Sequence, residues 1–143
     1  MKNILLCMKL SDLAYKDVVS AQNGVNVLGL KHFEWIENTE TDTQGFICVN
    51  DEDVFIIVRG TESWDDWKTN LDCRFEVSKY GAVHKGFHDD AESIYMRVTG
   101  ALAKHIVAGR RIYIGGHSQG AGVSKQLALR LLEKGFDVHR ARS

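Results

Sequence analysis

The stretch IYIGGHSQGAG, residues 112–122, is where this sequence offers chemistry. Within it, Gly116-His117-Ser118-Gln119-Gly120 fits the pattern G-x-S-x-G. A serine hydroxyl that attacks a carbonyl must stand clear of a sheet on a sharp, crowded turn, so its neighbours must lack bulk. Gly116 and Gly120 leave that room. An apolar run precedes the turn and an amphipathic run follows it. Ser118 therefore falls at a helix N-terminus, where free N–H groups and the dipole favour negative charge. The backbone N–H of Gln119 is then one donor to a developing oxyanion. The same residues also allow a plainer reading: a strand-to-helix turn of small residues with a buried or capping serine.

Upstream, VRGTESWDDW, residues 58–67, ends a second apolar run at Arg59-Gly60 and continues with Thr61. In folds with a serine elbow the second oxyanion donor comes from the loop after an earlier strand. Thr61 can offer both a backbone N–H and a hydroxyl. Two rival glycine-rich motifs fail. A phosphate-binding loop counted from Gly115 would need lysine where Ala121 stands, and a dinucleotide fingerprint would need glycine where Lys125 stands.

The elements that must position these residues are legible from periodicity. Residues 1–20 read as one helix with Leu5, Met8 and Ala14 in a loose apolar stripe. KHFEWIE, with His32, reads as an edge strand. GFICVN and DVFIIVRG, separated by the acidic DED, read as a hairpin over about 45–60, its second strand apolar enough to be covered on both faces. Residues 61–82 read as loop with one helical turn, and RFEVSKYGAV, 74–83, as a surface loop. Phe87, Ala91, Ile94, Tyr95, Val98, Leu102 and Ile106 recur at helical steps over 87–107, and Gly109 stops that helix. RIYIGG is a short strand, residues 118–133 a helix stopped by Gly135, and FDVHRA the start of another strand. This order predicts an α/β fold: a mostly parallel sheet with an antiparallel hairpin on one side and flanking helices.

Composition bounds the rest. The 143 residues suffice for one domain with a core, and a formal net charge of −1 gives no footprint for nucleic acid. Three cysteines, Cys7, Cys48 and Cys73, stand at no metal-ligand spacing. They predict reduced, buried thiols and a reducing, cytoplasmic compartment. MKNILLCMKL has no cleavage site after its apolar run, which argues against a secretion signal. No metal or cofactor is called for, since serine chemistry needs none.

With these pieces in order, KLSDLAYKD, TDTQGFICVND, VFIIVRGTESWDDWKTNL, VHKGFHDDAESIY and IYIGGHSQGAG, the chain resembles the class 3 lipases, the fungal-type triacylglycerol lipase family of the α/β-hydrolase fold. The resemblance runs along nearly the whole chain. It implies hydrolysis of lipid esters or related acyl compounds, with Ser118 as nucleophile and Thr61 and the Gln119 N–H as the oxyanion hole. Two positions depart from the family: leucine is usual where Gln119 stands, and glycine where Ala121 stands.

The family also needs an acid and a histidine after the nucleophile, in the order Ser, Asp, His. Only 25 residues follow Ser118. Asp137 and His139 lie beyond the far end of a helix about 24 Å long, out of reach of the hydroxyl. His117 diverges from its neighbour and matches a packing position of the family. His84 and His88 flank KGF and read as structural, as do His32 and His105. None of the six histidines is assigned as general base. The expectation is a partial α/β-hydrolase domain over 1–143, cut before the triad acid and base. It would have little turnover alone, and would associate with itself or with a complementing C-terminal segment. A lipid or ester substrate and transient contact with a lipid surface are implied. A catalytically dead binding module and another acyl hydrolase, a phospholipase or thioesterase, are the alternatives.

Overall fold

In the computed structural model the described residues are 2–59, 75–78, 81–105, 109–117 and 119–140. Two helices come first, α1 (Lys2–Leu13) and α2 (Val18–Val27). Strands β1 (Lys31–Asn38), β2 (Thr43–Val49) and β3 (Asp53–Val58) follow, then a separate pair, β4 (Phe75–Ser78) and β5 (Gly81–His84). The long helix α3 (Lys85–Ala103) leads to β6 (Arg111–Gly115), α4 (Gln119–Glu133) and the short β7 (Val138–Arg140).

The main sheet has the order β1-β2-β3-β6-β7. Its first two pairings are antiparallel and its last two parallel. The expected α/β sheet with a hairpin on one side is present, evenly divided between the two kinds of pairing among the described residues. β3 is the strand read as covered on both faces, and all six of its residues are buried. Val54, Ile56 and Val58 face a core with α3 and α4, joined by Ile112, Ile114, Ile94, Val98, Leu127 and Leu131. Phe55 and Ile57 face the opposite core with Phe46, Cys48, the helix residues Cys7, Leu10 and Val25, and Ala14 just past α1. Period-2 alternation thus builds two helix layers on one sheet.

Two readings of the sequence need correction. The helix expected over 1–20 is broken: Asp17 caps a second helix, its carboxylate accepting from the Ser20 N–H at 2.9 Å and the Ser20 hydroxyl at 2.8 Å. An Asx cap three residues before a serine outcompetes helix continuation. The stripe is as expected only at Ala14, which is buried. Leu5 and Met8 are 55% and 48% exposed, and α1 buries Cys7, Leu10 and Ser11 instead. The segment read as a surface loop, 74–83, contains the antiparallel β4–β5 pair, with Phe75 opposite His84 and Ser78 opposite Gly81. Alternation there is too short to register in the sequence. The helical turn expected around SWDDWKTNL, 63–71, lies outside the described residues.

Polar contacts fix α1 along the strands. At the start of β3 the buried Asp53 accepts from Arg111 Nε at 2.9 Å and from the Asn3 amide at 3.4 Å. Near the strands' C-terminal ends, Ser11 Oγ and Cys7 Cβ lie close to Gly115. The helix therefore runs from the base of the sheet to the turn that follows β6.

Candidate active site

β3 and β6 lie side by side and parallel, with Ile57 opposite Gly115. The chain therefore leaves the sheet after Arg59 and after Gly116 at the same C-terminal edge. That is where open α/β sheets place their ligands. Ser118 and Thr61, assigned from the sequence as nucleophile and oxyanion donor, lie outside the described residues. The residues on either side of Ser118 are described, and they define the turn.

Gly116 is wedged between the end of β3 and the start of α4. A Cβ there would sit 2.4 Å from the Val58 carbonyl oxygen and 2.8 Å from the Gly120 carbonyl carbon. Both obstacles are backbone, so no side chain fits. The Gly120 N–H donates to the His117 carbonyl at 2.9 Å, closing a tight turn across position 118. Ser124, one turn into α4, donates its hydroxyl to the Gly115 carbonyl at 2.9 Å and ties the helix back to the strand end. Gly122 supports the same packing, because a Cβ there would lie 2.5 Å from the Phe87 ring of α3. Gln119 is the first residue of α4, so its N–H lies in the helix's first turn, where N–H groups have no carbonyl one turn back within the helix.

The histidines sort as follows. His117 Nε2 lies 3.0 Å from Asp12 Oδ1 of α1, both side chains partly or well exposed. Sequence reasoning gave it a packing role and missed this partner, which sits 105 positions away. His139 pairs with Tyr113 in the β6–β7 register, and the two rings are 6.0 Å apart. That places it mid-strand, about 10 Å short of the turn. Asp137 precedes β7 and lies 3.7 Å from His139. His105 is buried against the His32 ring at 5.5 Å, and burial holds its imidazole below the usual range.

One polar group beside the turn was not singled out in the sequence. Asp90, in the first turns of α3, accepts from the Gln119 side-chain amide at 3.3 Å. Burial pushes its carboxyl up to about 6. The Gln119 amide and the nearby Thr43 hydroxyl act against that rise, favouring the charged form, while the negative charges of Asp89 and Asp42 add to it. Among the described residues no cluster of three or more His, Cys, Asp or Glu side chains is arranged to hold a metal ion.

A parallel strand, a turn too tight for any side chain but glycine, and a helix set against the next strand's end are the parts of a serine elbow in an α/β-hydrolase-type domain. The family model for class 3 lipases matches residues 55–142, and the chain belongs to that family. A triacylglycerol lipase of Nicotiana tabacum is 38% identical over 95 residues, a match covering 57% of this chain and 17% of that protein. The triacylglyceride lipase of Rhizomucor miehei superposes with a TM-score of 0.81 at 18% identity, over 94% of this chain and 56% of that one. A triacylglycerol lipase whose catalytic centre is a serine protease triad superposes with a TM-score of 0.78 at 19% identity, over 93% and 55%. The chain thus spans about half the length of these solved lipases.

Proposed function

We propose that this chain carries the nucleophile and oxyanion part of a lipase- or esterase-type serine hydrolase acting on carboxylic esters of lipids. Ser118 Oγ attacks the ester carbonyl. The Gln119 N–H and Thr61 stabilise the tetrahedral oxyanion. The alcohol departs with the proton taken from the serine, and water then releases the acid from the acyl-serine. The observation that carries the reading is the turn across position 118: a Gly116 that admits no Cβ and the Gly120-to-His117 bond, beside the end of β3 in a class 3 lipase chain. The relative described as a triacylglycerol lipase with a serine protease triad supports the same chemistry here.

In this reading no histidine of the chain is the base. The base and its orienting carboxylate come from a segment or chain that extends the sheet beside β7, the outermost strand in the sheet order. Residues 1–143 form one domain together with it. The isolated chain then turns over slowly: in a serine protease, loss of the triad costs about a millionfold and leaves roughly 10³–10⁴ over water. The free, buried thiols of Cys7 and Cys48 support a reducing, cytoplasmic setting.

The test is reaction with a fluorophosphonate, followed by mass mapping of the adduct, alongside hydrolysis of a p-nitrophenyl ester. The expected result is slow, single-site labelling of Ser118 that Ser118→Ala abolishes, and ester turnover far below that of an intact lipase. Labelling that persists in Ser118→Ala would remove the reading.

A further inference from the structure

Among the described residues the turn across position 118 is held from three sides. β3 bounds it through the Val58 carbonyl, which leaves no room for a Cβ at Gly116. α4 ties it through the Ser124 hydroxyl, which donates to the Gly115 carbonyl at 2.9 Å. The third side is α1. Its later turns pass Gly115, where a Cβ would meet Cys7 Cβ at 3.7 Å and Ser11 Oγ at 4.0 Å. The Ser11 hydroxyl donates inside its own helix, to the Cys7 carbonyl at 2.8 Å. The next residue, Asp12, reaches out of the helix, and its Oδ1 lies 3.0 Å from His117 Nε2.

His117 stands immediately before Ser118. Its backbone carbonyl accepts the Gly120 N–H at 2.9 Å, the bond that closes the turn, while its side chain meets α1. One residue therefore joins the inside of the turn to a helix 105 positions away in sequence. An ionised carboxylate only accepts, so His117 Nε2 carries the hydrogen and donates it to Asp12. This brace differs in kind from the other two. Val58 and Ser124 are buried, whereas the His117 and Asp12 side chains are 35% and 76% exposed. An exposed pair adds little to folding. It orients at small cost here, because α1 already packs against Gly115 and only two short side chains must be ordered.

We propose that Asp12 and His117 are positioning residues for Ser118: the Nε2–H to Oδ1 bond braces the turn from α1 and fixes the peptide that leads into the nucleophile. The catalytic consequence rests on the hydrolase reading; the brace rests on the geometry alone. α1 then belongs to the frame of the site and acts on it through His117. The brace can favour the well-placed turn by no more than the pair itself is worth, which for an exposed pair is at most about fivefold.

The test uses the 143-residue chain and two pairs of variants. Asp12→Ala removes the acceptor, and Asp12→Asn keeps an oxygen that accepts from Nε2–H. His117→Asn holds its amide where Nδ1 stood, short of Asp12, and His117→Gln brings an amide N–H to the place of Nε2. Fluorophosphonate labelling of Ser118 is resolved into a saturation constant and a maximal rate, and NMR follows solvent exchange of the Gly120 amide. Asp12→Ala and His117→Asn are expected to lower the maximal rate about three- to fivefold at an unchanged saturation constant, and to speed Gly120 exchange. Asp12→Asn and His117→Gln restore both readouts. The double variant Asp12→Ala/His117→Asn loses no more than either single one, because all three break the same bond. A merely structural pair would lower the melting temperature and leave the labelling of folded chain alone. Labelling in Asp12→Ala equal to wild type, additive losses in the double variant, or conservative variants as impaired as Asp12→Ala overturns the proposal. If Ser118 never labels, the hydrolase reading fails and Gly120 decides: exchange that follows the Asp12 acceptor upholds the brace, and unchanged exchange removes it.

Discussion

Gly116→Ala is the substitution that most directly probes the turn. The new Cβ would lie 2.4 Å from the Val58 oxygen and 2.9 Å from the Gly120 oxygen, where ordinary contact begins at 3.4 Å. The obstacles are backbone atoms on both sides, one fixed by the β3 ladder and one by the first turn of α4. Neither can swing away as a side chain would, so the turn must shift against β3 by about 1 Å. Overpacking of this kind costs about 1–3 kcal/mol of stability. The catalytic loss is expected to be larger, since a misplacement of about 1 Å at a reacting centre costs roughly 100-fold. Thermal melting and the fluorophosphonate labelling rate of Ser118 measure the two. Gly100→Ala is the control: nothing lies within 4 Å of its would-be Cβ on α3, so it should be neutral or stabilising by up to about 1 kcal/mol, with labelling unchanged. A Gly116→Ala chain that melts and labels like wild type would show that the turn is not held between β3 and α4 as described, and the elbow argument would fall with it.

Two further outcomes test the neighbouring contacts. Gly122→Ala drives a Cβ into the Phe87 ring at 2.5 Å; melting should show a loss of about 1–2 kcal/mol, and Phe87→Leu in the same chain should recover part of it because the obstacle is a side chain. Asp90 has a raised carboxyl, from 3.8 to about 6, so the folded chain binds more protons than the unfolded one between those values and stability falls as pH rises through that window. Asp90→Asn removes this dependence and should stabilise the chain above pH 6 by about 1–2 kcal/mol, after allowing for the partial exposure of the group; denaturant melts at pH 5 and pH 8 decide it, and equal effects at both pH values would be the wrong result.

What the sequence revealed and what it hid divide along a physical line. β3 was legible because six consecutive buried positions leave a continuous apolar run, and α3 because Ala91, Ile94, Val98 and Leu102 repeat at helical steps against one core. The elbow was legible because its room must come from glycine, a residue type that the chain cannot disguise. The break between α1 and α2 was hidden by lysines and valines that suit a helix equally well, and only the Asp17–Ser20 cap marks it. The inward face of α1 was misjudged because Leu5 and Met8 are as apolar as the residues it buries. Apolar character alone cannot say which stripe the sheet will take when a helix carries apolar residues on more than one side.

The Asp90–Gln119 contact was invisible for a different reason. Asp90 lies on α3 and Gln119 begins α4, and no periodicity relates two positions 29 residues apart. Each alone reads as a solvated residue. Their contact exists only once α3 and α4 pack on the same face of the sheet, with Asn38 donating to the Ser93 carbonyl at 3.1 Å to tie the end of β1 to α3. Gln119 is the first residue of α4, so its side-chain amide reaches Asp90 on α3 beside the turn that Gly116 tightens.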